Sequence, residues 1–200
     1  MKRCLVTLLA ALIFPAAAAA QSETGLASCP AERSVYTLAT EGDQYAITLV
    51  PARTRAGFSS DLYLRLTTPQ RDYWFVFDVA ASQGNITLNP VGDPYASEAR
   101  TTGPASTVEA FRSRWPNAPM DELPSLLRFY ALDAELGFTL AQPQQGQPAP
   151  PWLLMPELNT ALWYHLPALT DDPGAERDPI PRGIFRLTAC LDTNPPAAFP

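Results

Sequence analysis

Cysteine placement constrains this chain more than any other feature. Of its three cysteines, Cys4 lies inside an apolar N-terminal run, leaving Cys29 and Cys190 near the two ends of everything that follows. Residues 1–20 read as a secretory signal peptide. Lys2 and Arg3 precede an apolar stretch from Leu5 to Ala20, and Ala18-Ala19-Ala20 supplies small residues before polar Gln21 and Ser22. The stretch is too short, and its exit too polar, for a stable membrane span. Export to a bacterial periplasm or beyond it puts the two remaining thiols in an oxidising compartment, where two leftover cysteines pair. Such a bridge requires their Cα atoms to lie within about 7 Å and holds the first and last strands together. The rival reading is a lipobox at Leu26-Ala27-Ser28-Cys29, but residues 21–25 separate it from the apolar run that a lipobox follows directly.

Residues 21–200 suit one secreted globular domain with a core of its own. Its basic residues are 12 arginines and no lysine, against 20 carboxylates. An acidic chain without a basic tract excludes nucleic acid and anionic membrane as main partners. The missing lysine excludes Schiff-base chemistry, pyridoxal phosphate attachment and Walker-type phosphate binding. A single histidine, His165, excludes multi-histidine zinc centres, and no G-x-S-x-G occurs. No cofactor and no metal is expected. The remaining partners are a protein, a glycan or a small anionic ligand, with no stable membrane insertion.

Hydrophobic alternation predicts strands at Ser34–Thr40, Gln44–Val50, Asp61–Thr67, Asp72–Ala80, Asn85–Val91 and Gly183–Leu191. Glu41-Gly42-Asp43 reads as a hairpin turn. A capping box at Ser106 and Glu109 opens a helix over Thr107–Trp115. A second helix is expected where Leu123, Leu126, Leu127, Tyr130, Ala131 and Ala134 form an apolar stripe stopped by Gly137. Trp152–Leu169 is ambiguous between helix and strand. Residues 142–151, rich in proline and glutamine, read as a solvated loop outside the core, and 194–200 as a flexible tail. The expected fold is α+β but mostly β. It is an antiparallel sheet or sandwich with an inserted two-helix segment, a single domain closed by one disulfide.

Four arginines, Arg53, Arg55, Arg65 and Arg71, make the one region rich in positive charge and are the candidate anion site. Tyr63, Arg65 and Trp74 share the face opposite the leucines of their strands, where the inserted helices are expected to build a second core over them. His165 could join a hydrolytic triad with Asp171 or Asp172, although its apolar surroundings favour a hydrogen-bonded structural role. Carboxylate pairs at Asp121/Glu122, Asp133/Glu135, Asp171/Asp172 and Glu176/Asp178 could serve acid–base chemistry. The loop from Asp171 to Asp178 departs from calcium-binding spacing and reads as solvated. The expected function is a periplasmic or secreted binding or interaction domain without catalytic activity. The alternative is a carboxylate-dependent hydrolase acting on envelope or extracellular polysaccharide.

Overall fold

The computed structural model describes residues 26–38, 45–57, 59–79, 86–172 and 174–199. The expected leader and the expected turn at Glu41-Gly42-Asp43 lie outside the described residues. The alternating segments form β1 (Ser34–Leu38), β2 (Ala46–Pro51), β3 (Leu62–Thr67), β4 (Asp72–Val79) and β5 (Ile86–Val91), close to their sequence bounds. They are followed by β6 (Arg128–Leu132), β7 (Phe138–Thr139), β8 (Trp152–Leu154) and β9 (Ile184–Cys190). Each strand from β1 to β6 pairs antiparallel with the next. β6 then pairs with β8, β8 with β9, and β9 with β1. The sheet therefore closes on itself as an eight-strand ring, with the two-residue β7 as a hairpin beside β6. A closed barrel replaces the open sheet or sandwich read from the sequence. Closure removes the unpaired edges that an open sheet would have to protect.

Ring closure depends on β6, which lies where a second helix was expected. Only one helical turn forms there, at Leu123–Leu126, and the chain then runs extended. The apolar stripe satisfied both periods: Leu127, Phe129 and Ala131 are buried, while Arg128 faces water. Pairing with β5 and β8 supplies backbone hydrogen bonds on both sides, which decides in favour of the strand. Gly137, expected as a helix stop, sits instead in the β6–β7 turn. A Cβ there would lie 2.7 Å from the Asp133 carboxylate, which accepts the Gly137 amide.

Inward side chains fill the barrel. Tyr36, Ile47, Leu64, Phe75, Phe129 and Phe185 come from six different strands and are essentially inaccessible. An eight-strand barrel is just wide enough for side chains to fill or for one small ligand to enter. Here aromatic and leucine side chains take the space.

Because neighbours are antiparallel, successive connections alternate between the two ends. Both long insertions, 92–127 and 155–183, therefore sit at one end. The first carries α1 (Ala99–Thr102), α2 (Thr107–Arg114) and α3 (Leu123–Leu126), and the second carries α4 (Leu158–Tyr164). Ser106 caps α2 by accepting the Glu109 amide. Met120, Leu123, Leu158, Leu162 and Leu166 from these insertions join the barrel core and close that mouth.

The opposite end is closed by the segment entering β1 and by residues 142–151. Ala31 donates to the Gln147 carbonyl, Ala149 donates to Cys29, and buried Glu32 accepts the Gly146 amide at 2.9 Å. The Pro/Gln-rich segment is thus a plug with Ala149 in the core, and not an excluded loop. Cys29 and Cys190 form a disulfide at this end, with Cα atoms 5.7 Å apart. Cys190 also faces Ser34 in the β1–β9 ladder.

Tyrosine hydroxyls tie the barrel to its closures. Tyr36 donates to Pro150, Tyr45 to Pro179 and Tyr73 to the buried Asp178 carboxylate. Burial raises the Tyr36 and Tyr73 hydroxyls well above 10, for Tyr73 with the Asp178 charge added, and pushes Tyr63 up to about 12. A tyrosine whose folded pKa exceeds its unfolded value contributes stability that is complete below that unfolded value. The contribution is lost as pH rises through the folded one. Alkaline titration should therefore keep the sheet intact up to pH 10 and unfold it above, with tyrosinate absorbance rising together with loss of circular dichroism. Full ionisation near pH 10 with an intact sheet would show that these hydroxyls are open to water.

Candidate functional site

A filled interior leaves the outer surface for any ligand. The outward residues of β2 to β5 form a second apolar layer of Val50, Tyr63, Trp74 and Val91, with Ala52 and Ala198. The inserted helices were expected to cover this layer. Over Tyr63 and Trp74 that role falls to Ala198 and to Tyr95, whose ring meets Trp74 edge-on at 5.7 Å. Residues 196–199, expected to be frayed, are hydrogen-bonded along their backbone, and Ala198 is fully buried.

Between this outer face and the 92–127 insertion runs a groove of about 480 Å³. That size falls within the range of small-molecule sites. Its apolar walls come from Val76 and Val91 on the barrel, Val108 on α2, and Leu123 on α3. Its polar side chains are Arg55, Asn89, Thr102, Ser106, Glu109 and Arg112. Asn89 is committed to Asp78 at 3.2 Å. Arg112 makes no ion pair among the described residues. Arg112 lies three residues beyond Glu109, so both are on one side of α2, and the helix presents opposite charges to the groove.

The four arginines read as an anion site take separate partners. Arg53 lies 4.3 Å over the Phe199 ring. Arg65 pairs with Asp72 at 2.6 Å and stands over Trp74. Arg71 pairs with Asp172 at 3.4 Å, and Arg55 lines the groove. Burial alone would raise the Asp72 carboxyl, but hydrogen bonds from Arg65 and Thr67 together with the Arg65 charge hold it below the usual carboxylate range.

His165 meets Glu122 at 3.0 Å, joining the second insertion to the first, and no serine hydroxyl bonds to it among the described residues. The carboxylate pairs disperse. Asp133 closes the β6–β7 turn, Asp171 lines a smaller cleft beside Asp93, and Asp178 is buried against Thr68 and Tyr73. That burial separates Asp178 from the solvated acidic loop in which the sequence placed it. Among the described residues no group of three or more His, Cys, Asp or Glu is placed to hold a metal ion, and no helix is long and apolar enough to cross a membrane.

Sequence reasoning missed Arg112 and Tyr95. Arg112 carried a usable signal: it follows Glu109 by three on a capped helix. Tyr95 carried none, since its position over Trp74 comes from the turn at Asp93, whose carboxylate accepts the Tyr95 amide. No family model, curated protein or solved structure matches this chain.

Proposed function

We propose that this protein is an exported, non-catalytic binding domain, and that its ligand is a small molecule with an apolar body and an anionic end. The observation that supports it is the groove between the barrel face and α2. Apolar walls there stand beside two arginines, in a protein whose interior is already full. Burial of an apolar body supplies most of the affinity, and a guanidinium fork orients a carboxylate or sulfate. The disulfide and the leader-like N-terminal segment support export. The hydrolase alternative needs a protonated carboxylic acid near neutral pH. None of the four carboxylate pairs read from the sequence lines this groove, whose lining carboxylate is Glu109.

The test is thermal unfolding with hexanoate and benzoate against hexanol and benzamide. A ligand that binds only the native state at about 100 times its Kd adds about 2.7 kcal/mol of stability. The carboxylates should raise Tm, the neutral analogues should do so less, and Arg112→Glu should abolish the difference. Glu109→Gln should enlarge it by removing a like charge. Equal responses to acid and neutral forms, or an unchanged response in Arg112→Glu, would defeat the anionic assignment.

A further inference from the structure

Residues 196–199 lie on the outer face of the barrel with nearly every backbone polar group engaged. The Pro196 carbonyl accepts from the Tyr95 hydroxyl at 2.5 Å, and the Ala197 carbonyl from Arg53 Nε at 3.4 Å. The Ala198 amide donates to Pro51 at 2.8 Å, and its carbonyl accepts the Arg53 amide at 2.9 Å. The Phe199 amide donates to Pro94 at 3.1 Å, and its carbonyl accepts from the Tyr63 hydroxyl at 2.6 Å. These bonds read main chain and not sequence. Selection falls to two side chains. The Ala198 methyl has no exposed surface, in contact with the layer that holds Tyr63 and Trp74, so only a small residue fits. The Phe199 ring is met by Arg53 at 4.3 Å and Arg100 at 5.6 Å, which favours an aromatic.

None of this is needed to close the barrel, because the ring of eight strands is complete without residues 196–199. The segment adds a single parallel bridge, Ala52 to Ala198, alongside the chain leaving β2. Yet Tyr63 and Trp74 point outward and are buried, so the face needs an occupant. We propose that this face is a peptide-recognition groove, with residues 196–199 as its resident occupant. The ligand is an extended segment of another protein carrying a small residue followed by an aromatic one. Backbone bonds supply affinity and the two side-chain positions supply specificity. The site adjoins the groove beneath α2, with Tyr63 and Val91 common to both, but does not depend on its reading.

The experiment uses full-length Ala198→Glu, in which a charge cannot enter the methyl site and the resident segment is expelled. A fluorescent peptide of residues 191–199 is titrated by anisotropy into this variant and into wild type. Saturable binding to A198E is expected, at least about tenfold tighter than to wild type, whose groove is filled. A foreign peptide with serine and tyrosine at the two selective positions should bind within about tenfold of the native one, and a peptide with glutamate at the small position should not bind. If A198E does not fold, Ala198→Leu, whose side chain is too large for the methyl site and also expels the segment, is read in the same way. A folded variant that binds neither peptide overturns the proposal. So does a concentration-dependent wild-type dimer that is lost in the variant, because it would assign the groove to exchange between copies.

Discussion

Replacing Cys29 and Cys190 together by alanine is expected to lower the unfolding free energy by about 5 kcal/mol. The bridge closes a loop with a sequence separation of 161, and the entropy that so long a closed loop removes from the unfolded chain is of that size. For a domain of this length the loss corresponds to a fall in Tm of about 10–20 °C. The native barrel should persist, because Ser34 and Cys190 remain paired through the β1–β9 ladder without the sulfur bond. Denaturant melts of the oxidised, reduced and double-alanine proteins check it. Agreement between the reduced and alanine forms, both with a steeper denaturant dependence, would place the effect in the unfolded chain. A double variant within about 1 kcal/mol of the oxidised protein would show that the chain ends are held by the ladder alone.

Phe129→Ala should cost about 3–5 kcal/mol, the range for removing a buried phenyl ring. Its consequence is also local. Phe129 packs edge-on against Phe77 at 5.1 Å and stands at the seam where β5 meets β6. That seam has two paired positions, Ile86 with Phe129 and Thr87 with Arg128, whereas β4 and β5 share six. The ring is therefore most weakly laced where this side chain sits. Hydrogen exchange in the variant should accelerate first at the β5–β6 amides. Phe75→Ala removes an equally buried ring from the middle of a long ladder, and should lower stability similarly without selective opening. Equal exchange patterns in the two variants would show that the seam opens only with global unfolding.

The parts of this fold that could be read in the sequence are those in which one period acts alone. β3 and β4 alternate leucines and aromatics with Arg65, Trp74 and Asp78, a pattern that no helix satisfies, and their bounds were close. The cysteine pair was legible because compartment and number left it no other partner. Closure of the barrel was not. Residues 123–134 fit a helix and a strand equally, and the choice was made by distant strands β5 and β8 that offered hydrogen bonds. Residues 142–151 and 194–199 looked solvated because proline and glutamine usually are. Here Gln145 bonds to the Asp61 and Ala52 carbonyls, and Ala198 fills an apolar site. Neither contact leaves a local trace. The partners of the arginine group were not legible for a related reason. Charge density along a chain does not specify partners, and Arg71 finds Asp172 about a hundred residues away.

The disulfide also determines how the molecule meets mechanical load. Tension applied between the segment before Cys29 and the segment after Cys190 passes through one covalent bond, and the chain between the two cysteines carries none of it. A noncovalent β1–β9 ladder would be pulled apart strand by strand under the same load. The oxidised barrel can therefore sit under tension between two attachments with its sheet at rest, while residues 196–199, which lie beyond Cys190, would be drawn off the outer face. Reduction would transfer the full load to hydrogen bonds.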